Sequence, residues 1–196
     1  LHLDGARLWE AQCFYERDFS EICAGFDSVY VSFYKGIGAL SGAMLLGSED
    51  FIAQAKLWQR RAGGTIFTLA PQVASAAMLF DESLAKQPAY RQRAQSLVKA
   101  LSDIPQLRFL PKEPQVNMVH VYLPFSAEVA TKLRDEIEAK YGFRLFNRIA
   151  VAEKGNPQES YFELTVGDNL MALSNTQVHE IFTHFVSAGL DYRELV

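Results

Sequence analysis

The stretch DSVYVSF at residues 27–33 decides the fold, because its β-branched and aromatic residues are typical of a buried strand. Two further apolar runs flank it, LHLD at residues 1–4 and GAMLLG at residues 42–47. A stretch long enough for a helix, residues 7–25, separates the first two runs. Strands separated in this way predict an α/β fold with a mainly parallel sheet covered by helices.

The rest of the chain divides at a proline-rich break. Ser48 predicts the start of an amphipathic helix over residues 51–61, and residues 71–101 have a helical pattern interrupted at Pro88. That pattern fits either two consecutive helices or one long bent helix. Residues 105–114 contain three prolines and predict the domain boundary.

Beyond the break, the order of predicted strands and helices changes. The new pattern predicts a small α+β domain over residues 113–196. Its predicted strands cover residues 116–123, 143–151 and 161–166. Its predicted helices cover residues 126–141 and 176–188, and the second begins with a capping-box pattern at Ser174 and Gln177.

Composition excludes several classes of protein. With 196 residues, 49% of them hydrophobic, the chain can bury a sizeable core, which excludes disorder and a coiled coil. The net charge of -4, without a basic run, predicts no nucleic-acid partner. No apolar run approaches the ~20 residues needed to span a bilayer, so no membrane partner is predicted. Cys13 and Cys23 lack metal-ligand spacing, which predicts no metal site. They also do not make a disulfide framework, which predicts a cytoplasmic location.

Two charged side chains lie at the carboxyl ends of the first two predicted strands. Asp4 ends the first, and Lys35 follows the second and precedes Gly36-Ile37-Gly38. Carboxyl ends of strands in open α/β sheets form ligand crevices, and a desolvated lysine amine is a nucleophile able to form a Schiff base. A lysine for the aldehyde and an aspartate for the pyridine nitrogen are what a pyridoxal phosphate site needs.

Simpler interpretations of the same residues stay open at this point. An aspartate before glycine is commonly a turn residue, and a single lysine is usually a surface charge. A dinucleotide-binding loop is a poor match, because the glycines at 36, 38 and 42 give GxGxxxG and no helix signal follows directly.

The segments HLDGARLW at residues 2–9 and SFYKGIGA at residues 32–39 resemble the threonine aldolase and β-eliminating lyase family, whose members are fold-type I pyridoxal phosphate enzymes. GSEDFI at 47–52, GG at 63–64 and NMV at 117–119 follow in the family's order. The resemblance implies that residues 1–112 are the C-terminal half of the cofactor-binding large domain, a partial mainly parallel sheet. Residues 113–196 would be the small C-terminal domain.

The resemblance also implies roles for individual residues. Lys35 would hold the cofactor aldehyde, and Asp4 would be the partner of the pyridine nitrogen. Arg7 would donate to the phenolic oxygen of the cofactor or to the substrate carboxylate, which suits a planar, permanently charged guanidinium. Ser32 would reach the cofactor phosphate, with a buried strand serine as an equally good interpretation.

Two positions depart from the family pattern. Where aldolases read GGGMRQ, residues 63–68 read GGTIFT, so Phe67 replaces an arginine that helps to hold phosphate. The Thr65 hydroxyl and nearby backbone amides would substitute in part, without the charge. Glu163 stands near the position of the arginine that binds the substrate carboxylate in aldolases, and Arg144 or Arg148 is a candidate replacement.

The implied activity is cleavage of the Cα–Cβ bond of a β-hydroxy amino acid, with threonine giving glycine and acetaldehyde. A β-eliminating lyase acting on another amino acid and a non-catalytic fragment acting only in assembly are the alternatives. The resemblance implies a homodimer or homotetramer. The chain begins at Leu1 in what reads as the middle of a strand, so we expect a preceding part that carries a phosphate loop and a residue stacked on the cofactor ring.

Overall fold

The computed structural model describes residues 1–152 and 156–194. The chain forms two compact units, Leu1–Pro88 and Ala89–Val196. The resemblance implies a different division, into domains of residues 1–112 and 113–196. That division stays a prediction.

The first unit contains a three-stranded sheet in the order β1 (His2–Gly5), β2 (Ser28–Ser32) and β3 (Ala43–Gly47). Strands β1 and β2 are parallel, as the sequence predicts, and β3 is antiparallel to β2. The α/β fold class is confirmed, with a sheet that is mixed in this part of the chain.

Two short helices, α1 (Leu8–Tyr15) and α2 (Phe19–Cys23), connect β1 to β2. The sequence predicted one helix-length stretch here. The break has a local cause, because Glu16 ends α1 in the left-handed conformation at φ 54° and Asp18 begins α2 with a capping box.

The sheet of the first unit has an apolar face and a polar face. Leu3, Val29 and Val31 pack with Leu8 of α1 and with apolar residues of α2. Because side chains alternate along a strand, the even-numbered residues of β1 and β2 lie on the opposite face. His2 and Ser28 show this directly, since the His2 Nδ1 atom lies 2.8 Å from the Ser28 hydroxyl.

Helices α3 (Glu49–Arg61) and α4 (Ala70–Leu101) follow the sheet. The Ser48 hydroxyl caps α3 by accepting from the Phe51 amide at 3.3 Å, as predicted, and Gly63 follows the helix with φ 74°. Helix α4 is continuous across Pro88, which decides between the two alternatives in favour of a single helix.

The second unit is built on a four-stranded antiparallel sheet. In chain order its elements are β4 (Arg108–Leu110), β5 (Met118–Leu123), α5 (Ala127–Tyr141), β6 (Ala150–Val151), β7 (Ser160–Thr165), α6 (Asp168–Met171) and α7 (Asn175–Glu194). The strands lie in the order β4, β5, β7, β6. Buried aromatic side chains from the loop after β5, from β7 and from α7 form the centre of its core, namely Phe125, Phe162, Phe182 and Phe185.

One predicted strand of the second unit is largely wrong. Of residues 143–151, only Ala150–Val151 form a strand. Leu145 and Phe146 instead fill the core from an irregular segment, with the Phe146 ring stacked 4.5 Å from that of Phe162. The proline-rich break also contains the short strand β4, which the sequence analysis missed. Within the described residues, no helix combines the length and apolarity needed to cross a membrane.

Candidate active site

The carboxyl ends of β1 and β2 place the predicted site residues at one end of the sheet. Strand β1 ends at Gly5, directly after Asp4, and β2 ends at Ser32, three residues before Lys35. Since the two strands are parallel neighbours, both ends lie at the same edge. This is the edge at which open α/β sheets bind ligands.

Two tyrosines accompany the predicted site residues, since Tyr30 pairs with Asp4 in the sheet and Tyr34 directly precedes Lys35. Asp4 pairs in register with Tyr30, so both side chains lie on the polar face of the sheet. The Tyr30 and Tyr34 hydroxyls lie 3.2 Å apart, and the Lys35 Nζ atom lies 5.9 Å from the centroid of the Tyr34 ring. The hydrogen bond with Tyr34 raises the pKa of the Tyr30 hydroxyl, and desolvation and the negative charge of Asp4 act in the same direction. The two tyrosine hydroxyls therefore lie on the polar face of the sheet that also carries Asp4.

The turn after Lys35 is held by its own backbone. The Gly38 amide donates to the Lys35 carbonyl at 2.9 Å, and the Ala39 amide donates to the Phe33 carbonyl at 2.9 Å. Gly38 has φ 78°, a conformation that glycine adopts without strain. The half-buried Lys35 is thus carried by a defined turn and not by a free loop.

Helix α4 fixes the same turn from one side. The Ser83 hydroxyl donates to the Ile37 carbonyl at 2.9 Å, and the Gln87 side-chain amide donates to the Gly36 carbonyl at 3.2 Å. Both side chains lie on one face of α4, since they are four residues apart. The backbone that follows Lys35 therefore has a fixed position relative to α4.

Helix α1 contributes a buried carboxylate on which the sequence analysis was silent. Glu10 is 1% exposed, and its Oε1 atom accepts from Arg7 Nη1 at 3.0 Å. Its carboxyl group also lies against Gly36, where an added Cβ atom would be 2.2 Å from Glu10 Cδ. The spacing of Arg7 and Glu10, three residues apart at the start of a predicted helix, is the signal that could have found this pair.

Replacing Gly36 with alanine is expected to lower the free energy of unfolding by about 1–3 kcal/mol, because the new methyl group overlaps a buried carboxyl group. Gly25→Ala is the matched control, since its Cβ atom meets nothing within 4 Å. Urea unfolding of the two variants measures the difference. Equal stability of the two variants would contradict the close approach of Gly36 to Glu10.

Ser32 is fully buried at the end of β2. Its hydroxyl donates to the Ala6 carbonyl at 2.6 Å, and its own carbonyl accepts from Trp9 Nε1 at 2.6 Å. These bonds attach the turn after β1 to the end of β2. They fit the interpretation of Ser32 as a buried strand serine, and its role toward a phosphate stays a prediction.

The other predicted positions lie further along the chain. Thr65 is exposed in the segment between α3 and α4, and its hydroxyl makes no hydrogen bond within the described residues. In the second unit, Arg144 Nε donates to Glu138 Oε2 at 2.7 Å and Arg148 is exposed. The roles predicted for these residues stay predictions.

A cleft of about 640 Å³ opens beside β1, and Asp4 and Arg7 are among its lining residues. Lys35 does not line it, so the cleft alone is not the site that the amine would serve. Among residues 1–152 and 156–194, no group of three or more histidine, cysteine, aspartate or glutamate side chains is arranged to hold a metal ion.

Comparison with known families gives a match over the first two thirds of the chain. The model of the beta-eliminating lyase family matches residues 1–124. A low-specificity L-threonine aldolase of Candida albicans is 30% identical over 162 residues, which cover 82% of this chain and 42% of that protein. The low-specificity L-threonine aldolase 1 of Arabidopsis thaliana is 30% identical over 139 residues, or 70% of this chain and 39% of that protein.

Solved structures resemble nearly the whole chain. A candidate L-allo-threonine aldolase from Listeria monocytogenes superposes with a TM-score of 0.83 at 36% identity, covering 95% of this chain and 51% of that one. A candidate aromatic amino acid β-eliminating lyase/threonine aldolase from Exiguobacterium gives a TM-score of 0.84 at 30% identity, covering 96% and 52%. The chain spans about half the length of these structures and less than half the length of the two curated relatives.

Proposed function

Because the chain belongs to the threonine aldolase and β-eliminating lyase family, we propose that it forms part of a pyridoxal phosphate-dependent lyase of amino-acid metabolism. The proposed reaction is cleavage of the Cα–Cβ bond of a β-hydroxy amino acid, with threonine giving glycine and acetaldehyde. The names of the relatives support the reaction. The observation that carries the proposal is that Asp4 and Lys35 lie at, and shortly after, the carboxyl ends of two adjacent parallel strands.

The groups at the strand ends fit the chemistry of pyridoxal phosphate. Lys35 offers a half-buried primary amine, and within the described residues it has no carboxylate partner. Asp4 accepts one hydrogen bond there, from the Ala6 amide at 3.2 Å, and this leaves acceptor capacity on its carboxylate. An amine suits an aldehyde, and a carboxylate suits a protonated ring nitrogen. When bound, pyridoxal phosphate supplies the electron sink for this class of reaction.

Each residue of the chain would have a separate task. Lys35 binds the cofactor aldehyde covalently, and Asp4 holds the proton on the pyridine nitrogen through its negative charge. Arg7 donates to the substrate carboxylate or to the phenolic oxygen of the cofactor, and so orients the bond to be broken. Ser32 and Thr65 are the proposed contacts of the phosphate, with backbone amides near Gly64 assisting.

A β-eliminating lyase is the second candidate, and one departure from the aldolase pattern favours it. Glu163 occupies the region where aldolases carry an arginine, and it lies exposed on β7 with its Oε1 atom 3.0 Å from the Thr165 hydroxyl. A negative charge there would repel a substrate carboxylate. The Exiguobacterium relative is described by both activities.

We also propose a homodimer or homotetramer in the cytoplasm. The oligomer rests on the family resemblance, because fold-type I sites usually form between subunits. The compartment is supported by Cys13 and Cys23, which form no disulfide within the described residues, as is usual for proteins of reducing compartments.

Assaying the full-length protein, loaded with cofactor, on L-threonine, L-allo-threonine and L-serine tests the function. We expect glycine and acetaldehyde from one or both threonine isomers. Pyruvate and ammonia from serine, without glycine from threonine, would replace the proposal by the β-eliminating lyase. Absence of every product from a protein that carries the cofactor would overturn both and favour the non-catalytic alternative.

A further inference from the structure

Glu10 carries a charge in a place where charge is costly. Its side chain is 0% exposed, whereas that of its partner Arg7 is 32% exposed. Burial of a carboxylate is unfavourable unless the group is paired and hydrogen-bonded. Arg7 satisfies the Oε1 atom at 3.0 Å, but the Oε2 atom has no hydrogen-bond partner within the described residues. Packing alone does not explain a glutamate here, because an uncharged side chain would fill the space at lower cost.

The same carboxylate contacts the turn that carries Lys35. A Cβ atom added to Gly36 would lie 2.5 Å from Glu10 Oε2 and 2.6 Å from Oε1, so the carboxyl group lies against the backbone of this residue. On the α4 side, the Gly36 carbonyl accepts from the Gln87 amide at 3.2 Å. Glu10 and Gln87 thus both fix the residue directly after Lys35.

We propose that Glu10 is a positioning residue. It orients the Arg7 guanidinium toward the substrate carboxylate and keeps it at a fixed position relative to the turn that carries Lys35. The proposal rests on the proposed function, since it assigns Arg7 to the substrate. A guanidinium has several N–H donors in one plane. The bond to a buried carboxylate therefore restricts the directions in which the other donors can point.

The fixed geometry has a chemical consequence. The site must hold the substrate carboxylate and position the Lys35 amine at the same time. Small misplacements of the groups that orient a substrate lower the reaction rate strongly. Glu10 contacts Arg7, which is assigned to the substrate carboxylate, and Gly36, which directly follows Lys35. Arg7 and Lys35 themselves belong to different segments of the first unit. Loss of its charge is therefore expected to weaken substrate binding more than cofactor binding.

The test compares Glu10→Gln with Asp135→Asn in the full-length protein loaded with pyridoxal phosphate. Asp135 is the matched control, because it also accepts from an arginine, Arg134 at 2.7 Å, but its own side chain is exposed and no site role is proposed for either residue. Titration with glycine, followed by the visible absorbance of the bound cofactor, gives the dissociation constant. We expect Glu10→Gln to weaken glycine binding about 10- to 100-fold, and Asp135→Asn to change it by less than about twofold.

A double-mutant cycle separates positioning from a general structural role. In an Arg7→Gln background, Glu10→Gln is expected to have no further effect on glycine binding, because it acts through Arg7. Thermal melting of all variants shows whether they remain folded. If Glu10→Gln does not fold, Glu10→Asp replaces it in both backgrounds, since it retains the charge but withdraws it from Arg7, and the same loss is expected.

Unchanged glycine binding in the Glu10 variant, or an equal loss with and without Arg7, would overturn the inference. Failure of the proposed function has a different signature. In that case the unsubstituted protein itself would bind no cofactor on lysine and give no spectral response to glycine.

Discussion

Lys35→Ala in the full-length protein is expected to lower kcat for threonine cleavage by about 10⁴-fold or more. The substitution removes the amine proposed to bind the cofactor aldehyde covalently, and within the described residues no other lysine lies at the ends of β1 and β2. The protein should remain folded, because the turn is held by the backbone of residues 35–39 and by Ser83 and Gln87 of α4, and not by the lysine side chain. Initial rates of glycine formation and the melting temperature measure the two effects.

Lys56→Ala is the matched control for this prediction. Lys56 is an exposed lysine on α3 of the same unit, and its removal should leave kcat unchanged. Retention of most of the activity in Lys35→Ala would show that Lys35 is not the reactive lysine, and would support the non-catalytic or surface interpretation of this residue.

Asp4→Asn is expected to lower kcat by about 10²–10³-fold, which is the usual effect of removing one preorganised electrostatic stabiliser. The amide has nearly the shape of the carboxylate and still accepts from the Ala6 amide, but it has no charge to hold a proton on the pyridine nitrogen. Covalent binding of the cofactor should persist, because Lys35 is intact. The split between a retained visible absorbance band and a reduced kcat is the signature of this role.

Asp50→Asn serves as the control, since Asp50 is exposed in the first turn of α3. Asp4→Glu should recover part of the activity lost in Asp4→Asn, because it restores the charge at a shifted position. An Asp4→Asn protein with unchanged kcat would assign Asp4 to the turn and not to the cofactor.

The sequence was informative where the signal is local. The strands around Leu3 and Val29 are short apolar runs, and the carboxyl ends of neighbouring parallel strands lie at one edge of a sheet. It could therefore be predicted that Asp4 and Lys35 belong to the same edge. The Ser48 cap of α3 is equally local, as it needs only a hydroxyl three residues before an amide donor.

The features that could not be predicted depend on contacts between distant residues. Glu10 looks like an exposed helix residue until Gly36 is packed against it, and the contact joins residues far apart in the sequence. Residues 143–149 have the composition of a strand, but Leu145 and Phe146 are buried in the core from an irregular segment, with Phe146 stacked on Phe162. For Glu10 and for residues 143–149, the local sequence pattern also fits the arrangement that does not form. Contacts with distant residues decide which arrangement forms.

The Tyr30–Tyr34 hydroxyl pair illustrates the same limit within the site. Each tyrosine is an ordinary strand or turn aromatic in the sequence, and only the path of the chain after β2 brings the two hydroxyls to 3.2 Å. Tyr30 pairs in register with Asp4, and Tyr34 directly precedes Lys35. The sequence thus predicted the two charged residues but not this hydroxyl pair.

Borohydride reduction of the cofactor-loaded full-length protein, followed by peptide mapping, tests the central claim most directly. Reduction makes a lysine-bound cofactor permanent, and the mapped peptide identifies the lysine. We predict that the label is found on Lys35 and nowhere else in residues 1–196. A label on another lysine, or a protein that retains pyridoxal phosphate without any reducible lysine adduct, would contradict the assignment of this site.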